Sequence, residues 1–291
     1  MNQNTSTGLD LFLGSTEYRN RNIGILTNQS GVGSCGTPNI ELLLAAGFRI
    51  KTIFVPEHGL RGSKGGGERI EDHMDPHYNI PVVSLYNEKL RIDSDKFKDI
   101  DMLLYDIQDV GARFYTYIAT LKAILGSISE SGQDIKIAIL DRPAFLGDSI
   151  QGTLPDEISF LSPEFIPIRY GLTVGEFALY TARINNYDTE IEIFHIPDYH
   201  RGMQFPDTGV PFISPSSAIR NYETALIYSG TCLLEGTDLS EGRGTDTPFL
   251  AWGSPDMPDI KVDFSGFEIK AYEFIPEFSK FSGKKIKGFR A

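Results

Sequence analysis

The chain has 291 residues, 39 of them acidic and 27 basic, for a formal net charge of −12. Its 41% hydrophobic and 23% charged residues are those of a globular protein and exclude disordered, collagen-like and coiled-coil classes. The acidic balance argues against nucleic acid or an anionic lipid surface as partner, since both need a basic face, and leaves small or carbohydrate ligands open.

This length predicts about two domains, read as residues 1–150 and a smaller unit over 151–291, with the boundary in the loop from Gly147 to Pro167. The apolar runs are too short for a membrane span, so no membrane insertion is expected. The first residues carry neither a basic region nor an apolar stretch, so no leader is read there. Cys35 and Cys232 make neither a disulfide framework nor a zinc pattern.

In chain order, Asn22–Thr27 reads as a short buried strand ending in Asn28-Gln29-Ser30-Gly31. Thr37-Pro38 starts a helix that glycine stops at Gly47. Arg49–Val55 is a second strand, running into Pro56-Glu57-His58-Gly59. Residues 101–106 form a third, followed by Ile107-Gln108-Asp109, and a longer helix follows Gly111 with an apolar stripe from Phe114 to Ile128. Residues 135–140 form a fourth strand ending in Asp141-Arg142-Pro143. Strands separated by helices predict a parallel α/β sheet, Rossmann-like, covered on both faces. Ligands of such sheets sit at the carboxyl ends of the strands, and here four successive ends deliver polar groups to one edge. In the second half, Thr173 and Glu176 form a capping box for a helix to about Ile184, and residues 190–196 read as a strand. The remainder is expected to form a smaller α+β domain.

Several motifs compete for the chemistry. Gly31-Val-Gly33-Ser-Cys-Gly36 spells a dinucleotide fingerprint, but three residues separate it from its strand and its helix starts after the third glycine. A nucleotide-dependent enzyme is therefore a minor alternative. His73 and His77 are interrupted by Pro76, which speaks against a helical metal pair, and no metal is expected. What remains is carboxylates. Glycosidic cleavage needs an acid for the leaving oxygen and a second carboxylate or equivalent at the anomeric carbon. Glu57 and Glu68 flank a glycine-rich loop, and Asp106 begins the next rim segment, so Glu57, Glu68 and Asp106 are the catalytic candidates. Asn28, His58, Asp109, Arg113, Tyr115, Tyr117, Arg142, Glu241 and Arg243 are the substrate-binding candidates. Asp109 reads equally as a helix cap, Tyr117 as core, and Glu241 with Arg243 as a surface ion pair. Arginine's planar fork suits a substrate carboxylate, which makes Arg113, Arg142 and Arg243 the candidates for that contact.

Taken together, Leu-Thr-Asn28-Gln29-Ser-Gly, Pro-Glu57-His58-Gly, Asp106-Ile-Gln-Asp109-Val-Gly-Ala-Arg113-Phe-Tyr115-Thr-Tyr117, Leu-Asp141-Arg142-Pro, Arg169-Tyr-Gly-Leu-Thr-Val-Gly-Glu176 and Glu235-Gly-Thr-Asp-Leu-Ser-Glu241-Gly-Arg243-Gly-Thr resemble one family, the NamZ/YbbC-type exo-β-N-acetylmuramidases. The resemblance runs from about Gly8 to Phe281. It implies a Rossmann-like domain, a smaller second domain and a site in the cleft between them. It implies release of N-acetylmuramic acid from non-reducing ends of peptidoglycan fragments, with Glu57 catalytic, no cofactor, and export from the cytoplasm. Where the family often has glutamate before a Gly-Pro pair, this chain reads Gln151-Gly152-Thr153. The family pattern also continues past residues 278–280 with a further segment, so a shorter second domain is expected. A non-catalytic muropeptide-binding protein is the main alternative.

Overall fold

The computed structural model describes residues 6–86, 91–258, 260–261, 266 and 268–291. Its first compact unit is Met1–Ser217 and its second Ala218–Ala291. The first unit runs in the order α1 (Gly8–Phe12), β1 (Asn22–Thr27), α2 (Asn39–Ala45), β2 (Arg49–Val55), β3 (His73–Met74), β4 (Pro81–Ser84), β5 (Met102–Asp106), α3 (Tyr117–Ser131), β6 (Lys136–Leu140), α4 (Val174–Ile184) and β7 (Ile191–Phe194). The seven strands form one sheet of order β3-β4-β2-β1-β5-β6-β7, parallel except for β3.

Alternation along the strands explains the layers. Ile23, Ile25, Ile53, Val55, Met102, Leu104, Ala138 and Leu140 join Leu9 and Phe12 of α1 and Ile40 and Leu43 of α2 in one core. The intervening positions Leu103, Tyr105, Ile137 and Ile139 are equally buried, so both faces are covered, as a parallel sheet requires. The chain enters at β1, winds outward through β2 and β4, then returns to β5 and winds the other way. The topological switch therefore lies between β1 and β5, where ligands of open α/β sheets bind.

Two elements start later than the sequence suggests. Helix α2 begins at Asn39 because Pro38 is extended (ψ 138°) and bridges Val32. Helix α3 begins at Tyr117, not just after Gly111, because Ala112 bridges Arg169 and the Arg113 amide donates to Ile168 O. The capping box at Thr173 and Glu176 forms as its spacing predicts. The sequence reading sets a boundary near residue 150, while the first compact unit continues to Ser217, since β7 pairs along β6.

The second unit holds α5 (Tyr222–Thr231) and an antiparallel sheet of β8 (Ala251–Ser254), β9 (Lys270–Phe274) and β10 (Ile286–Arg290), in the order β8-β10-β9. Its small core is Ala251, Phe274 and Ile286. Among the described residues no helix is long and apolar enough to cross a membrane.

Candidate active site

The site is built at the carboxyl ends of β2, β1 and β5. After β2, Pro56 leads into Glu57, a residue only 9% exposed. Both carboxylate oxygens are held: Oε1 accepts from the Gly67 amide at 2.8 Å and Oε2 from Thr116 Oγ1 at 2.7 Å. The turn that presents Glu57 is tight. His58 lies at φ 73°, and its Nδ1 is 2.9 Å from Lys64 O. Gly67 lies at φ 78°, a backbone that favours glycine, and this conformation is what carries its amide to Glu57.

Around Glu57 stand the aromatic residues. The His58 and Tyr115 rings are 6.4 Å apart, and Tyr115 meets Tyr117 edge-on at 4.8 Å. Tyr117 donates to Pro215 O at 2.8 Å, and Gln29 donates to Ser214 O and Pro215 O, so residues 214–215 are tied down beside them. Burial pushes the Tyr115 phenol up, and the charges of both Glu57 and Asp109 push it further, so the phenol lies in the field of both carboxyls. At the end of β1, Asn28 Oδ1 accepts from the Ser30 amide and hydroxyl, and its buried Nδ2 has no protein partner among the described residues.

Asp109 is buried, and Oδ2 accepts from the Tyr170 hydroxyl and the Gly111 amide. Desolvation outweighs these donors and pushes its carboxyl up to about 6. Arg113 is 5% exposed and donates to Thr153 O and Ile166 O, with Phe114 stacked at 5.2 Å. No carboxylate pairs with it among the described residues, and desolvation lowers its pKa.

The other carboxylate and arginine candidates stand differently. Asp106 is fully buried, with Oδ1 on Arg142 Nε and Oδ2 on Asn39 Nδ2, both at 2.7 Å. Arg142 is 1% exposed and also donates to Val32 O. The pair ties three segments together and leaves neither Asp106 oxygen available to a substrate. Glu68 is exposed and accepts from the Gly65 amide, 3.9 Å from Lys64. In the second unit, Arg243 donates to Glu235, lies 3.8 Å from the buried Glu241 and stacks over Phe249 at 4.7 Å. Glu241 is also 3.6 Å from Lys280. The expected surface ion pair of Glu241 with Arg243 is not the arrangement seen: Glu241 is 2% exposed, and the hydrogen-bonded partner of Arg243 is Glu235.

The glycine fingerprint has local explanations. A Cβ on Gly31 would lie 2.3 Å from both Asn39 Nδ2 and Thr27 Oγ1, and Gly36 turns at φ 80°. No group of three or more His, Cys, Asp or Glu side chains is placed to hold a metal ion among the described residues.

The profile described as "Exo-beta-N-acetylmuramidase NamZ, N-terminal" matches residues 23–223, and its C-terminal counterpart matches residues 226–291. The chain belongs to the NamZ family of exo-β-N-acetylmuramidases. It is 33% identical over 295 aligned residues to the peptidoglycan β-N-acetylmuramidase NamZ of Bacillus subtilis strain 168, covering 97% of this chain and 71% of that protein. Two crystal structures of DUF1343 family proteins from Bacteroides fragilis NCTC 9343 share the fold. One has a TM-score of 0.87 at 26% identity, covering 99% of this chain and 77% of that one. The other has a TM-score of 0.82 at 28% identity, covering 98% and 76%.

The tyrosines on either side of Thr116 are candidates from the sequence, whereas Thr116 itself carries no sequence signal for the site. Thr116 lies inside the apolar stripe that runs from Phe114 to Ile128, and nothing local in the sequence says that its hydroxyl reaches Glu57. Tyr170, which donates to Asp109, carries no local sequence signal for that role either.

Proposed function

We propose that this protein is an exo-β-N-acetylmuramidase, a glycosidase that releases N-acetylmuramic acid from the non-reducing ends of peptidoglycan fragments. The observation that carries this reading is the Glu57 carboxyl, nine-tenths buried and held on both oxygens at a strand end, in a chain of the NamZ family. Glu57 is the general acid that protonates the glycosidic oxygen. Asp109 supplies the second carboxyl: it is buried just after β5, its Oδ1 has no hydrogen-bond partner among the described residues, and its charge, like that of Glu57, acts on the Tyr115 phenol. Asp106 and Glu68 are set aside, the first because its oxygens are engaged by Arg142 and Asn39, the second because it lies exposed on its own loop.

The substrate differs from an N-acetylglucosaminide by a lactyl ether that bears a carboxylate. Of the three candidate arginines, Arg142 and Arg243 already face carboxylates, while Arg113 is held only by carbonyls. Arg113 is therefore the residue assigned to the lactyl carboxylate. Peptidoglycan fragments are met outside the cytoplasmic membrane, and the protein is proposed to act there.

Incubation with a nitrophenyl β-N-acetylmuraminide tests the reading. Steady release of nitrophenol, with at least tenfold less from the matching N-acetylglucosaminide, is the expected result. Tight binding of muramic-acid sugars without turnover would instead make the chain a binding protein.

A further inference from the structure

Thr116 stands at the N-cap position of α3, where a threonine hydroxyl ordinarily accepts from the second or third amide of the helix. Here it makes no such bond, and its backbone is helical (φ −72°, ψ −5°) instead of extended. The hydroxyl is turned to Glu57 Oε2, at 2.7 Å, across 59 residues of sequence. The Thr116 carbonyl is engaged by the Thr120 amide and hydroxyl, which fixes the residue from below.

The two Glu57 oxygens are therefore not equivalent. Oε1 faces the Gly67 amide, which can only donate, so a proton on Oε1 would oppose that amide. Oε2 faces a hydroxyl, which can donate or accept. A proton on Glu57 thus belongs on Oε2. We propose that Thr116 is a positioning residue that fixes which oxygen of Glu57 carries the proton and stabilises the carboxylate left after its transfer. This rests on the reading of Glu57 as the general acid given above.

While Glu57 is protonated, its Oε2–H donates to Thr116 Oγ1; with Glu57 ionised the hydroxyl donates to Oε2, the direction drawn in the structure. With substrate in place it passes from Oε2 to the glycosidic oxygen. The bond from that oxygen to the anomeric carbon breaks, with its electron pair staying on the oxygen. The Thr116 hydroxyl then rotates to donate to Oε2. That bond strengthens as negative charge develops, so its contribution falls on the transition state more than on substrate binding.

The test compares Thr116→Val, which keeps shape but loses the hydroxyl, with Thr116→Ser, which keeps the hydroxyl. Full-length proteins are assayed on the disaccharide of N-acetylmuramic acid β-linked to N-acetylglucosamine. Thr116→Val is expected to lower kcat about 10- to 100-fold, the range for one hydrogen bond to a charged group, with KM within about twofold. Without that donor the protonated acid is favoured, so the alkaline limb of the pH–rate profile moves upward. Thr116→Ser is expected to restore at least about half of kcat and the wild-type profile. If Thr116→Val does not fold, Thr116→Ala carries the same expectation. Wild-type kcat and profile in the valine variant overturn the proposal, as does a serine variant impaired as much as the valine one. A wild-type protein that releases no sugar overturns the general-acid reading and this inference together, whereas an active wild type with an unaffected valine variant overturns this inference alone.

Discussion

Replacing Asp106 with asparagine tests whether this strand-end carboxylate is structural. The side chain is fully buried, and the arginine paired with it, Arg142, is 1% exposed. Asp106→Asn keeps the shape and an acceptor for one of Arg142 and Asn39, but it leaves the Arg142 guanidinium buried without a counter-charge. Breaking a buried pair in this way costs about 3–5 kcal/mol, because the surviving charge stays desolvated. For a unit of this size about 2–4 °C of melting temperature corresponds to each kcal/mol, so a drop of roughly 6–20 °C is expected. Urea denaturation followed by circular dichroism gives the free energy directly, and kcat per folded molecule is measured below the new transition. The prediction is a large loss of stability with kcat within about threefold of wild type. A variant that is as stable as wild type yet has lost turnover would refute the structural assignment and return Asp106 to the catalytic set.

Two further outcomes follow from the same groups. Burial raises Asp109 from 3.8 to about 6 in the folded state, so between about pH 4 and 6 the unfolded chain ionises where the folded one does not. Stability should therefore fall through that window by about 3 kcal/mol from this residue alone and then level off; subtracting the urea midpoints of Asp109→Asn from those of wild type isolates this slope, and a flat difference contradicts it. Arg113→Ala should lower kcat/KM on N-acetylmuraminides by about 1.5–3 kcal/mol, roughly 10- to 150-fold, and narrow the preference over N-acetylglucosaminides; an unchanged preference in folded protein would leave Arg113 as a clamp on Thr153 and Ile166 alone.

The sheet was legible because its strands are short apolar runs with polar ends, and period alone places Ile23 and Ile25 on one face. The start of α3 was not, since it is set by the bridge from Ala112 to Arg169, a contact without local signal. The site divides in the same way. That Glu57, Asp106, Asp109 and Arg142 reach one edge follows from strand order. Whether a carboxylate at that edge faces a ligand or an arginine depends on partners 36 residues apart for Asp106 and Arg142, and 59 apart for Glu57 and Thr116. Residue type looks the same in both cases. The extent of the first unit was hidden for a similar reason: β7 joins the sheet only by pairing with β6 across a long connection.

If Glu57 gives its proton to the leaving group, its removal must harm a poor leaving group more than a good one. Wild type and Glu57→Gln are compared on the disaccharide, whose sugar alkoxide needs protonation, and on the nitrophenyl glycoside, whose phenolate leaves without it. The expected loss in kcat is about 10²–10⁴-fold on the disaccharide and much smaller on the nitrophenyl substrate. An equal loss on both, or a glutamine variant that keeps more than half of wild-type kcat on the disaccharide, would contradict it.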